Sequence, residues 1–175
     1  MSAKIDWVAV SSSQVLSEDF IEEFKDSVNW INISAYQVLS EPFIEKYKDV
    51  VSWPHICIKQ VLSESFIRKY NKDVSWHYIS KHQKLSEAFI DEFTLKVDWA
   101  MIVLIQNISE AFILSHVADI GWDNISKRRD LSDSFIKTYK DSLNWEEASK
   151  DQKLDEQTIE DCVTKVNWNE VSQYQ

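Results

Sequence analysis

The chain has 175 residues, 44% of them hydrophobic, with eight tryptophans but a single glycine and two prolines. Its 19 Lys and Arg against 29 Asp and Glu give a formal net charge of −10. This balance disfavours nucleic-acid binding, because helical-repeat proteins that bind nucleic acid carry a basic stripe. No apolar stretch approaches the roughly 20 residues that cross a membrane. We therefore expect a soluble, cytoplasmic protein with no nucleic-acid or membrane partner.

The tryptophans recur at a constant interval of 23 residues, at Trp7, Trp30, Trp53, Trp76, Trp99, Trp122, Trp145 and Trp168. A fixed period in this range is the signature of a stacked-repeat architecture. The interval defines seven repeats that each start at a Trp, followed by a half repeat from Trp168. We predict one α-solenoid domain over residues 1–175.

Each repeat is predicted to open with a short helix that begins at the Trp. A capping residue precedes it, as Asn29 precedes Trp30, and its side chain can accept from a first-turn N–H group. The Trp and the residues three, four and seven positions later share one helix face, as in Trp30, Ile33, Ser34 and Gln37. The tryptophans are therefore predicted to be core residues and not an aromatic binding row.

A longer helix is predicted after a serine cap, from Glu18 to about Ser27 in the first repeat. Its apolar residues fall at i, i+1, i+4 and i+8, which is one face of a helix and not of a strand. An acidic residue follows each cap, at the positive end of the helix dipole. The caps are Ser17, Ser40, Ser63, Ser86, Ser109, Ser132 and Asp155.

Two other repeat architectures fit this period less well. A leucine-rich repeat also spans about 20–29 residues, but no repeat here carries its L-x-L strand with Asn. A parallel β-helix is disfavoured by the single glycine and by the helical spacing of the apolar residues.

A glutamine recurs at the end of the short helix, at Gln14, Gln37, Gln60, Gln83, Gln106 and Gln152. Two interpretations are open. The glutamines could form a row of amides that faces a ligand, or they could bond to backbone groups at the turn between helices. We favour the second, because that turn has no glycine to close it.

The residue types that carry catalysis show no recognisable arrangement. The histidines, at His55, His77, His82 and His116, occupy four different repeat positions without i, i+3 or i, i+4 pairing. His116 replaces a core aromatic residue, and Cys57 and Cys162 are interpreted as buried small hydrophobes. No phosphate loop or nucleophile motif is present. We therefore expect no metal, no cofactor and no enzymatic activity.

The fifth repeat carries apolar residues where most repeats are polar, at Met101, Leu104, Ile105, Leu114 and Val117. Trp99, Ile102 and Gln106 already form the inward face of its short helix, so Met101, Leu104 and Ile105 are predicted to point away from the core. Either a neighbouring helix covers these residues or they form an exposed patch. We favour the patch, which predicts a contact surface for a partner or for a second copy of the chain.

The phrase W-x-x-I-S-x-x-Q-x-L-S-E-x-F-I occurs at Trp30–Ile44 and again at Trp76–Ile90. It resembles short tandem repeats in proteins of large DNA viruses and phages, and the resemblance covers nearly the whole chain. It implies a viral protein that acts inside a host cell, with a host defence factor as one expected target. It implies no particular activity.

The leading hypothesis is a non-enzymatic scaffold that presents a curved surface to a protein partner. One alternative is a viral inhibitor that sequesters a small nucleotide-like ligand, for which the basic cluster Lys127–Arg129 is the only candidate and is small. The other is a structural spacer or self-assembly unit, including a homodimer through the fifth repeat.

Overall fold

A computed structural model of the chain describes residues 5–174, apart from the side chains of residues 151, 173 and 174. This part of the chain contains sixteen α-helices and no β-strand. Helices that begin at Trp recur at the 23-residue interval, and within each of the two compact units described below, consecutive ones contact each other. The predicted all-α repeat solenoid is confirmed.

Two compact units divide the chain, the N-terminal unit Met1–Lys84 and the C-terminal unit Leu85–Gln175. The single domain predicted over residues 1–175 stays a prediction. The helices of the N-terminal unit are α1 (Trp7–Ser13), α2 (Glu18–Glu23), α3 (Trp30–Tyr36), α4 (Glu41–Lys46), α5 (Trp53–Lys59), α6 (Glu64–Lys69) and α7 (Trp76–His82). Those of the C-terminal unit are α8 (Glu87–Glu92), α9 (Trp99–Ile105), α10 (Glu110–Ser115), α11 (Val117–Ile120), α12 (Trp122–Ser126), α13 (Asp133–Thr138), α14 (Trp145–Asp151), α15 (Glu156–Asp161) and α16 (Trp168–Tyr174).

The serine-capped helices are six residues long and therefore shorter than predicted. In the first repeat the helix ends at Glu23 and not at Ser27. The carbonyl of Phe24 then accepts the N–H groups of Ser27 at 2.9 Å and Val28 at 3.0 Å. This tight turn returns Val28 to the core. Val28 had suggested a longer helix, but it reaches the core through the turn. The Trp-initiated helices, most of which have seven residues, are the longer ones.

The predicted serine caps are confirmed. Ser17 Oγ accepts the N–H of Phe20 at 3.2 Å, and the corresponding bond forms in every later repeat, including the one capped by Asp155. The caps before the Trp are less uniform. Asn29 and Asp98 accept a first-turn N–H group, whereas the Ser52 hydroxyl lies 2.8 Å from the His55 ring and caps nothing.

The core of each unit consists of the same few positions repeated. The isoleucine three residues after the Trp and the isoleucine of the serine-capped helix have no exposed surface, as Ile33 and Ile44 show. Complete burial of such a side chain contributes about 1.5–3 kcal/mol. The fully buried isoleucines are Ile21, Ile33, Ile44, Ile56, Ile67, Ile79, Ile90, Ile102, Ile113, Ile125 and Ile136.

The tryptophans pack against aromatic side chains of the serine-capped helices. The ring of Trp30 lies 4.7 Å from that of Tyr47, and that of Trp53 lies 5.2 Å from that of Tyr70. The indole N–H also donates to a backbone carbonyl five residues earlier in five repeats, as from Trp30 to Lys25 at 3.0 Å. Most of these rings are half-buried. They form the edge of the core and close the turn before their own helix.

The recurring glutamine bridges one repeat to the preceding one. Gln37 Nε2 donates to the carbonyls of Ser11 at 2.9 Å and Gln14 at 2.8 Å, and its Oε1 accepts the N–H of Leu16 at 2.9 Å. Gln60 and Gln83 repeat this pattern further along the N-terminal unit. These side chains are buried. The interpretation of the glutamines as partners of turn backbone groups is therefore confirmed for Gln37, Gln60 and Gln83, whereas Gln14 is exposed and makes no such bridge to another described residue.

The serine four residues after the Trp makes a second bridge, in the other direction along the chain. Ser34 Oγ donates to the carbonyl of Trp30 and accepts the N–H of Ser52, the residue before the next Trp, at 2.9 Å. In four repeats the acidic residue after the serine cap adds a third bridge. Glu18 Oε1 accepts the N–H of Ser40 in the next repeat at 2.6 Å. Hydrogen bonds between repeats thus supplement the apolar contacts.

Candidate partner-binding site

The junction between the fifth and sixth repeats departs from this pattern of bridges. Val103 occupies the position four residues after the Trp, where other repeats have the bridging serine. Its side chain cannot accept a hydrogen bond from the N–H of Gly121, the residue before the next Trp. This amide donates instead to the carbonyl of Val117 at 2.9 Å. The chain forms an additional short helix there, α11, and Gly121 has a φ of +77°, which glycine adopts without strain. The backbone therefore follows a different path at this junction.

Arg128 replaces the bridging glutamine at the same junction. The glutamine position of the sixth repeat holds Arg129, and helix α12 has five residues where most of its counterparts have seven. The buried Arg128 guanidinium donates to the carbonyls of Val103 at 2.7 Å and Gln106 at 3.2 Å. Asp130 accepts from its Nη2 at 2.9 Å and also pairs with its Nε. This bidentate pair balances the buried charge.

A depression of about 390 Å³ opens beside the arginine bridge. Residues 104–107 of the fifth repeat and 127–130 of the sixth line it. The two segments occupy the same repeat positions in consecutive repeats. The corresponding groove in the N-terminal unit, lined by residues 60–62 and 82–84, measures about 260 Å³. Of these two grooves, the larger lies where the glutamine bridge has been replaced.

The structure places two of the five predicted site residues in this depression. Leu104 and Ile105 line it, with 39% and 55% of their surface exposed. Met101 on α9, Leu114 on α10 and Val117 on α11 are half-buried and do not line it. The apolar residues of the fifth repeat therefore do not form one continuous patch around the depression.

The depression also contains the basic cluster that the sequence suggested only as a small separate feature. Lys127 and Arg129 line the side opposite Leu104 and Ile105. The 23-residue period could have predicted this proximity, because Leu104 and Lys127 occupy equivalent positions in neighbouring repeats.

The lining groups are suited to binding. Lys127 and Arg129 place cationic side chains beside two exposed aliphatic side chains, those of Leu104 and Ile105. The lining residues supply amide, ammonium, guanidinium and carboxylate groups, but no hydroxyl, thiol or imidazole. Such a surface fits a ligand with an apolar group next to an anionic one.

The histidine of the fifth repeat and the two cysteines are packed in the core. His116 stacks on Trp99 with ring centroids 4.6 Å apart, and its Nε2 lies 2.9 Å from a carboxylate oxygen of Asp91. Cys57 and Cys162 are free thiols and buried, and burial raises the pKa of each. These observations agree with their interpretation as core residues.

Among the described residues, no group of three His, Cys, Asp or Glu side chains is arranged to hold a metal ion. None of the helices in residues 5–174 is both long and apolar enough to span a bilayer.

Comparisons with protein families, with curated proteins and with solved structures find no match to this chain.

Proposed function

We propose that the chain is a non-enzymatic repeat scaffold that binds a protein partner through the depression between the fifth and sixth repeats. The observation that carries this proposal is the proximity of exposed Leu104 and Ile105 to Lys127 and Arg129. Exposed apolar side chains contribute binding energy when a partner covers them, and adjacent charges select among partners. The partner is a protein surface with an apolar side chain beside a carboxylate.

The rigidity of the site supports this function. Arg128 is held by two carbonyls and by Asp130, so one wall of the depression is ordered before any partner arrives. A preformed site loses less side-chain entropy on binding. The resemblance to viral and phage tandem repeats supports a host protein as the partner and the host cytoplasm as the place of action.

Sequestration of a small nucleotide-like anion is the second candidate. Its support is the pair of cations at the rim and a volume within the roughly 300–1,000 Å³ typical of small-molecule sites. Its weakness is that no aromatic ring is among the lining residues, so a base has nothing to stack on. Self-assembly through the same face is the third candidate.

The experiment compares two double variants with equal changes in charge. Leu104→Glu with Ile105→Lys alters the depression. Leu95→Glu with Val163→Lys alters two side chains of the C-terminal unit that are 96% and 50% exposed and lie outside it. Both variants should keep the helical circular dichroism of the parent chain. Cross-linking in host lysate with mass spectrometry should then show a partner that only the first variant loses.

The other candidates give different results in the same experiment. Light scattering that shows a dimer in the parent chain and a monomer only in the depression variant would indicate self-assembly. Calorimetric titration that detects nucleotide binding, lost in the same variant, would favour sequestration. Unfolding of the depression variant would show that Leu104 and Ile105 belong to the core, and the site assignment would be wrong.

A further inference from the structure

Three valines of the N-terminal unit are almost fully exposed at one repeat position. Val15, Val38 and Val61 have exposed fractions of 101%, 90% and 95%. Each follows the glutamine that ends a Trp-initiated helix, where the backbone is extended. Extended backbone favours valine, but it does not require valine here. Later repeats have other residues at this position, namely Lys84, Asn107, Asp130 and Lys153.

The glutamine bridges align these valines. Gln37 binds the carbonyl of Gln14, and Gln60 binds that of Gln37, so consecutive extended segments lie side by side. The valine after each glutamine therefore follows the previous one in a row along one side of the unit. Packing in the core does not explain why valine occupies this position, because the three side chains are exposed to solvent.

Cationic side chains continue the row. Lys59, Lys81 and Lys84 are exposed, and none of them forms an ion pair with another described residue. His82 lies among them; partial burial lowers its pKa, and the charges of Lys81 and Lys59 lower it further. We call this surface the valine edge, defined by Val15, Val38, Val61, Lys59, Lys81 and Lys84.

Acidic residues are excluded from the valine edge. In the N-terminal unit, the positions five, six and eight residues after each Trp contain no Asp or Glu, although the chain has 29 of them. Exposed apolar groups thus adjoin unneutralised positive charges on a protein whose net charge is −10. Charge complementarity favours an acidic partner over a second copy of the same edge, because two copies would bring like charges together.

The spacing of the row matches one peptide conformation. Neighbouring packed helices lie about 8–10 Å apart, and this distance sets the interval between consecutive valines. A polyproline II helix has three residues per turn and rises about 3.1 Å per residue, so every third side chain faces the same way at intervals of about 9.3 Å. A β-strand presents side chains on one face at intervals of only about 6.8 Å.

We propose that the valine edge binds an acidic peptide segment in the polyproline II conformation. An apolar side chain at every third residue of the peptide contacts the valines, and carboxylates near one end face the lysines. This surface lies in the N-terminal unit and is independent of the depression in the C-terminal unit.

The test uses the full chain and a fluorescently labelled, proline-rich peptide. About twelve residues span the row at polyproline II spacing, with leucine at every third position and glutamates at one end. Fluorescence anisotropy should show saturable binding that weakens as salt is added. Val38→Asp with Val61→Asp should weaken it by about tenfold or more, because both carboxylates then face an acidic peptide. Both valines are solvent-exposed, so the variant should keep the circular dichroism of the parent.

The matched control is Val8→Asp with Val50→Asp, two valines of the same unit that are 56% and 49% exposed and lie away from the edge. This control should change the affinity for the peptide by less than about twofold, since salt screens the interaction between the peptide and exposed charges that lie away from it. The Leu104→Glu with Ile105→Lys variant should bind the peptide normally, which separates this proposal from the one for the depression.

Three results would overturn the proposal. The first is no binding at millimolar peptide, or equal binding by the edge variant and its control. The second is equal binding of a peptide with leucine at every second position, which would exclude polyproline II geometry. The third is self-association of the parent chain in sedimentation that only Val38→Asp with Val61→Asp abolishes, because the occupant would then be a second copy.

Discussion

Replacing Gln60 by leucine tests whether the glutamine bridges hold neighbouring repeats together. Gln60 is 5% exposed, and its amide makes three bonds to the preceding repeat. Its Nε2 donates to the carbonyls of Ser34 at 3.3 Å and Gln37 at 2.8 Å, and its Oε1 accepts the N–H of Leu39 at 2.9 Å. Leucine has a similar volume but no hydrogen-bonding group, so the variant removes the bonds without leaving a large cavity.

The expected loss follows from these three bonds. At about 1 kcal/mol net for each bond, the free energy of unfolding should fall by roughly 3 kcal/mol. The N–H of Leu39 loses its buried acceptor, and an unsatisfied buried donor by itself costs about 1–3 kcal/mol, which agrees with this magnitude. This loss is a large fraction of the roughly 5–15 kcal/mol that stabilises an ordinary domain.

Native-state hydrogen exchange measures the effect at the affected amide. The Leu39 N–H should exchange about a hundredfold faster in Gln60→Leu, because each 1.4 kcal/mol changes an equilibrium about tenfold. Urea unfolding followed by circular dichroism should show a matching shift of the midpoint.

Gln14→Leu is the matched control. Gln14 has the same repeat position but is exposed, and among residues 5–174 its side-chain amide reaches only the hydroxyl of Ser13, at 3.4 Å. This variant should change stability by less than about 0.5 kcal/mol. If Gln60→Leu were as stable as the parent, or if Gln14→Leu lost as much stability, the bridges would not stabilise the stack.

Two further predictions concern single residues. Trp53→Ala should lower the free energy of unfolding by about 3 kcal/mol, since it removes a ring packed on Tyr70 and the bond from its indole to Lys48; an unchanged urea midpoint would show that the tryptophans are not core. Gly121→Ala should cost about 1–3 kcal/mol through backbone strain alone, because φ is +77° and no atom lies within 4 Å of the added Cβ. A thermal scan in which Gly121→Ala melts with the parent would contradict that φ requirement.

The repeat, its helical content and its core could be predicted from the sequence. The caps and apolar faces are local features, set by residues within a few positions of one another along the chain. Ser17 therefore identified a helix start, and Ile33 a buried position, without knowledge of any neighbour. The length of the serine-capped helix was wrong, because a turn at Phe24 returns Val28 to the same core face as a longer helix would.

Only the tertiary structure decided which atoms meet between repeats. The three bonds of Gln37 depend on how closely two backbones approach, and the apolar periodicity does not determine that distance. The depression has the same origin. The sequence shows that Leu104 and Lys127 share a repeat position, but it does not show the depression that they line or the bonds from Arg128 to the carbonyls of Val103 and Gln106. Local sequence determined the helices and their inward faces because those depend on neighbours along the chain, whereas the binding surfaces required the packing distance between repeats.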